Sequence, residues 1–156
     1  MKDEKETLRK TADSIHVMEK FDPAILADVT APVVSLYIPV HHTEREERRD
    51  IWDRDMFKDL MKDAERTLAE TYDKDAYKGI VEKADYLLEH PDMPLWLHAG
   101  EGLGFLMNND DIYVYNLFFA PDPMVAAGDT YFVKPLLRNF QYGTEYLSLI
   151  HISEPT

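Results

Sequence analysis

Apolar residues concentrate in a few short runs, and their spacing changes along the chain. The densest run is Val33-Val34-Ser35-Leu36-Tyr37-Ile38, β-branched or aromatic almost throughout. It predicts a strand buried on both faces, and therefore central in its sheet. Ala31-Pro32 marks its entry and Pro39 its end. Upstream, Leu8, Ala12 and Ile15 share one face of a helical projection, so Lys5 to Lys20 is predicted as an amino-terminal helix within residues 1–20. Asp22-Pro23 then opens a single turn around Ile25 and Leu26.

Beyond the polar loop His41 to Arg49, the period becomes helical. Ile51/Trp52, Met56, Phe57, Leu60, Met61, Ala64 and Leu68 recur at three- and four-residue steps, which predicts a long amphipathic helix with Asp50 as N-cap. A second helix is predicted from about Asp73, where Tyr77, Ile80, Val81, Ala84, Leu87 and Leu88 keep the period and Pro91 and Pro94 close it. From Gly102 the period shortens to two. Leu103 to Met107 and Ile112 to Leu117 flank Asn108-Asn109-Asp110-Asp111 and predict an antiparallel hairpin. Met124 to Ala127 predicts one more short strand, after which Gly128-Asp129 turns the chain into Tyr131 to Phe140. The order β, α, α, β, β, β places the chain in the α/β (α+β) class, a mixed sheet with two long amphipathic helices packed on it.

Composition agrees with a single domain: 156 residues, 45% hydrophobic and 30% charged, are enough for a core and too few for two independent ones. The absence of cysteine excludes disulfides, thiolate zinc sites and cysteine nucleophiles, as suits a reducing compartment. Met1 to Lys20 alternates acids and bases with no apolar signal region, and no stretch approaches the roughly 20 apolar residues of a membrane span. A cytoplasmic protein without a membrane partner is expected. The net charge of −13 repels phosphate backbones, so nucleic acid could be met only through a local basic patch.

The last ten residues, Leu147 to Thr156, read LSLIHISEPT and resemble the translation of a transposase-end adapter from sequencing libraries. They are expected to be foreign to the domain, which then occupies residues 21–146, is incomplete, and continues beyond Tyr146 in its natural form. The alternative is a natural strand over Tyr146 to Ile150 with a loose end.

Candidate chemistry is sparse. His41-His42 with Glu44, joined by His98, lacks any metal-ligand spacing, and adjacent histidines do not share a site as histidines one helical turn apart do. A solvated loop is the better reading, and neither a metal nor a cofactor is expected. Arg45, Arg48, Arg49 and Arg54 could present guanidinium forks to phosphate, but Glu44, Glu46, Glu47, Asp50 and Asp53 are interleaved with them and allow a self-paired helix entry instead. Gly100-Glu101-Gly102-Leu103-Gly104 superficially resembles a phosphate loop, yet it precedes a strand and opens no helix; it reads as a tight turn between helix and strand. No nucleophile elbow, Walker lysine or kinase signature occurs. Trp52, Trp96, Tyr113 and Tyr115 read as packing residues rather than as a base-stacking platform.

Several of these segments form one ordered pattern: Val33-Ser35-Leu36-Tyr37-Ile38-Pro39 before a His-containing loop, the Arg54 to Leu68 helix, Leu95-Trp96 before Gly102-Leu103-Gly104-Phe105, and Val125 to Leu137. From Phe21 to Tyr146 the chain resembles the amino-terminal domain of the bacterial archaeo-eukaryotic release factor-like family, which carries a V-S-[LI]-Y-[LI]-P-[TV]-H strand and a V-G-D-x-F-x-[LV]-K-P-L-L segment. Val40 stands where the family usually has Thr, and Ala127 where Val precedes the Gly-Asp pair. The resemblance implies a multidomain cytoplasmic protein related to translation termination and ribosome rescue factors, associated with the ribosome or RNA. It makes His41, His42, Arg45, Arg48 and Arg49 the candidate RNA contacts. The release reaction in that superfamily needs a Gly-Gly-Gln tripeptide, which these residues lack, so no peptidyl-tRNA hydrolysis is carried over and no enzyme is expected in this fragment. The rival readings are a protein-binding regulatory α/β domain without nucleic-acid contact, which the acidic charge favours, and a hydrolase using His41 or His42 with a carboxylate.

Overall fold

A computed structural model describes residues 12–27, 30–40, 49–90, 93–97 and 100–140. Strands β1 (Ile15–Met18), β2 (Val33–Pro39), β3 (Gly102–Met107), β4 (Ile112–Leu117) and β5 (Met124–Gly128) form one sheet in the order β1-β4-β3-β2-β5. β1 runs parallel to β4 and every other neighbouring pair is antiparallel, so the sheet is mixed, as the sequence pattern predicts. The helices are α1 (Ala24–Ala27), α2 (Arg49–Thr71), α3 (Lys74–Glu89), α4 (Pro94–Leu97) and α5 (Lys134–Phe140). Among the described residues, no helix is long and apolar enough to cross a membrane.

β2 lies between β3 and β5, and all of Val33 to Ile38 is buried. Its alternate residues feed two cores. Val34, Leu36 and Ile38 join Phe57, Ile80, Leu87, Trp96 and Phe105 under the two long helices. The Phe57 ring sits 4.8 Å from Phe105 and 5.7 Å from Trp96, whose indole Nε1 donates to the Leu87 carbonyl at 2.9 Å, so the ring is buried without a stranded donor. On the opposite face, Val33 and Tyr37 pack with Phe21, Leu106, Tyr115, Tyr131 and Leu136.

The second layer is fastened by polar groups of β2 itself. Ser35 Oγ accepts from the Phe132 N–H at 2.8 Å, and the Tyr37 hydroxyl donates to the Phe132 carbonyl. The backbone of one residue, 97 positions from Ser35, is thus held through both its N–H and its carbonyl by a single strand. Burial pushes the Tyr37 phenol far above its ordinary range, followed by the neighbouring Tyr115, so this donor stays protonated at any working pH.

Four sequence expectations are corrected. Ile15–Met18, predicted within a helix, is a strand whose register on Ile112–Tyr115 is set by a contact about 95 residues away; only Ala12 and Asp13 of the described part are helical. Four residues with no helical stripe of their own take the conformation that the open edge of β4 offers. The α2 helix begins at Arg49, so Asp50 is its second residue rather than its N-cap. Gly102 and Gly104 are not a turn but residues of β3. A Cβ on Gly102 would lie 2.5 Å from Pro121 Cδ and 2.6 Å from the Phe119 carbonyl, so glycine serves close packing there. Pro94 opens α4 at a first helical position, whereas α3 ends at Glu89 before it.

If β2 organises the fold, truncation at its centre is costly and truncation on the edge strand is cheap. Leu36→Ala is expected to lower unfolding free energy by about 2–5 kcal/mol in urea titrations. Val17→Ala, at a position 53% exposed on β1, is expected to change it by less than about 0.5 kcal/mol.

Candidate functional site

Of the residues that sequence reasoning singled out, His41, His42, Arg45, Arg48 and His98 lie outside the described residues, and Arg49 is placed only as the first residue of α2. Both anchors of the 41–48 loop are defined. The Val40 N–H donates to the Glu101 carbonyl at 2.9 Å, which ties the exit of β2 to the entry of β3. α2 then returns antiparallel to β2: beyond its far end the Tyr72 hydroxyl donates to Asp129, next to Gly128, the partner of Val33 at the start of β2. Val40 and the start of α2, which flank residues 41–48, therefore both lie at the Pro39 end of the sheet.

The same end carries exposed aromatic surface. Gly102 pairs with both Pro39 and Leu117, so the residues after β4 emerge there too. Phe118 is 59% exposed and meets Phe119 edge-on at 5.8 Å. The Arg138 guanidinium lies 4.2 Å over the Phe119 ring, a cation–π contact. Asn139 fixes this segment: its Oδ1 accepts from the Phe118 N–H at 2.8 Å and its Nδ2 donates to the Asn116 carbonyl at 3.2 Å.

Trp52, expected in the core, is 57% exposed at the same end of α2. The buried stripe of that helix is Asp53, Phe57, Met61, Ala64 and Leu68, one position out of phase with the predicted start. Trp96 and Tyr115 are core residues, as expected, and Tyr113 is half-buried. Arg54, counted among the phosphate candidates, directs its Nη1 to the Leu88 carbonyl at 3.3 Å and so braces α2 against α3. Sequence reasoning missed Phe118, Phe119 and Arg138. The available signal was the Phe-Phe pair just beyond Leu117, where the period-two alternation of β4 breaks.

Two concavities lie elsewhere. One, of about 410 Å³, sits at the β3–β4 turn, with Asp22, Asn108, Asn109, Asp110 and Asp111 in its wall. At its rim, His16 Nε2 is 3.0 Å from Asp111 Oδ1 and the imidazole stacks on Tyr113 at 5.3 Å, which secures β1 to the turn. The other, of about 730 Å³, is a groove between α2 and α3 in which Glu65, Arg66, Lys74, Asp75, Lys78 and Glu82 mix both charges. Among the described residues, no group of three or more His, Asp and Glu side chains could hold a metal ion.

Fold and surface together define a mixed five-stranded α/β domain with helices on both faces and exposed aromatic rings at one end of its sheet. Compared with known proteins, the chain matches no family model and no curated sequence.

The α2–α3 face also carries an electrostatic liability. Partial burial raises Glu65, reinforced by the charge of Asp85 and opposed by Lys74; partial burial raises Asp85, reinforced by Glu89. A carboxyl raised in the folded state binds its proton more tightly there than in the unfolded chain. The destabilisation is therefore present at neutral pH and relieved as pH falls through the folded value towards the ordinary one of about 4. Glu65→Gln is expected to raise the urea midpoint slightly at pH 7, with the gain shrinking as pH approaches 4.5. A midpoint lowered at pH 7, with the loss shrinking as pH falls, would show instead that the carboxylate is stabilising.

Proposed function

We propose that this chain is a noncatalytic amino-terminal domain of a cytoplasmic release factor-like protein that works at the ribosome, touching RNA through the Pro39 end of its sheet. The observation that supports it best is spatial. The separate segments behind the resemblance, Val33–Pro39, Gly102–Phe105 and Val125–Leu137, are neighbours here: β3, β2 and β5 are consecutive strands, and the backbone of Phe132 is bonded by Ser35 and Tyr37. Segments that share a family pattern because they fold as one unit are expected to converge in this way.

The chemistry of the end itself fits single-stranded RNA. Arg49 opens α2 at that end, and with His41, His42, Arg45 and Arg48 of the preceding sequence it would supply phosphate contacts, while exposed Trp52 and Phe118 offer flat rings on which bases stack. A net charge of −13 confines such contact to this end. That same charge favours the second reading, a protein-binding regulatory domain.

Cosedimentation of the full-length protein with ribosomes across a salt series separates the two. Replacing Arg45, Arg48 and Arg49 together with alanine is expected to leave the melting temperature unchanged and to reduce the log–log salt slope by about 3, one for each lost phosphate contact. Trp52→Ala is expected to weaken binding by about 1–3 kcal/mol without altering that slope. Undiminished, salt-insensitive binding in both variants would remove RNA contact from this end and favour the protein partner.

A further inference from the structure

The backbone ladder of α3 is interrupted at one place, and a side chain from another element fills the gap. Tyr77 has φ −124° and ψ 15°, outside helical values. In an unbroken helix the Ile80 N–H would donate to the Ala76 carbonyl. Here both groups belong to the side-chain amide of Asn109 in the β3–β4 turn. Its Oδ1 accepts from the Ile80 N–H at 3.1 Å, and its Nδ2 donates to the Ala76 carbonyl at 2.6 Å. A carboxamide carries the same acceptor and donor as a peptide unit, so it can stand in for the missing helical bond at both ends. The Asn109 carbonyl is held in turn by Lys83 Nζ at 2.6 Å. Gly79 makes room for the insertion, since a Cβ there would lie 2.6 Å from the Asn109 carbonyl oxygen.

The gap divides the helix unequally. Its body is fixed by buried Ile80, Ala84 and Leu87, whereas in the first turn, Lys74 to Tyr77, only Tyr77 is buried. Asn109 lines the concavity at the hairpin turn, and Lys74, Tyr77 and Lys78 line the groove between α2 and α3, so the inserted amide stands between the two.

We infer that Asn109 is a conformational latch. While its amide occupies the break, the first turn of α3 is fixed and the groove keeps its present shape; when the amide withdraws, Lys74 to Gly79 opens as a unit and the Ile80 N–H loses its acceptor, while the helix body stays in the core. The shape of the groove thus depends on where the hairpin turn sits. Opening of this kind is a local equilibrium, below the free energy of global unfolding.

Native-state amide hydrogen exchange of the 156-residue chain in graded urea tests it. In the unaltered protein, Ile80 is expected to exchange through a local opening with little urea dependence, and Leu87 through global unfolding with the full dependence. Equal slopes at the two positions would overturn the latch without any variant. Asn109→Ala is expected to speed exchange at Ile80 by at least about tenfold, the scale of one buried hydrogen bond, and to leave Leu87 unchanged. Gly79→Ala, which crowds the turn while leaving Asn109 chemically intact, is expected to give the same pattern. Equal acceleration at Ile80 and Leu87 in these variants, or none at Ile80, would show that the amide is only a general stabiliser.

Discussion

Burial of β2 on both faces is the condition that the other elements satisfy. A strand with Val34, Leu36 and Ile38 on one side and Val33, Ser35 and Tyr37 on the other cannot stop at one layer of cover. The long helices supply the first layer. The second is thinner, a connector with Phe21 and the segment from Tyr131 to Phe140, and it needs more than apolar contact to stay in place. The polar atoms of the strand meet that need. Ser35 and Tyr37 are buried and must find partners, and both find them on the backbone of Phe132, Ser35 on its N–H and Tyr37 on its carbonyl. One set of bonds thus satisfies the strand and docks the layer.

How far the fold is legible in the sequence depends on how local its cause is. β2, the β3–β4 hairpin and α3 are dictated by their own residues: an unbroken apolar run, a period-two alternation around Asn108 to Asp111, and a 3.6-residue stripe. β1 is different, because Ile15–Met18 is a strand only through its pairing with β4, about 95 residues away. Trp52 departs from its predicted place for a subtler reason. An aspartate is solvated by default, so the pattern points past Asp53 to its aromatic neighbour, whereas Asp53 is the buried residue. The break at Tyr77 has no local signature, since the group that occupies it comes from Asn109. The candidate RNA contacts, all but Arg49, lie outside the described residues, while the aromatic surface at the Pro39 end emerges only from strand register.

The electrostatic design is uneven in a way that bears on function. With −13 overall, the body of the domain repels polyanions, and the mixed charges of the α2–α3 groove do not reverse that. What distinguishes the Pro39 end is the combination of exposed rings, an arginine over one of them, and the anchors of an arginine-bearing loop. A surface so confined would dock in one orientation rather than coat a polyanion. It would also leave the opposite end, with the His16–Asp111 contact and the Asn109 latch, clear of that partner.

The central claim is that β2 and the backbone of Phe132 form one cooperative unit, and a double-mutant cycle on Ser35→Ala and Tyr37→Phe measures it directly by urea unfolding. Each single change releases one of the two Phe132 backbone groups, and once one is released the other bond holds less. The cycle is expected to show a coupling of about 0.5–3 kcal/mol, the double variant losing less than the sum of the two. Strict additivity, within about 0.3 kcal/mol, would contradict the account, because the two hydroxyls would then act as independent bonds rather than as a clamp.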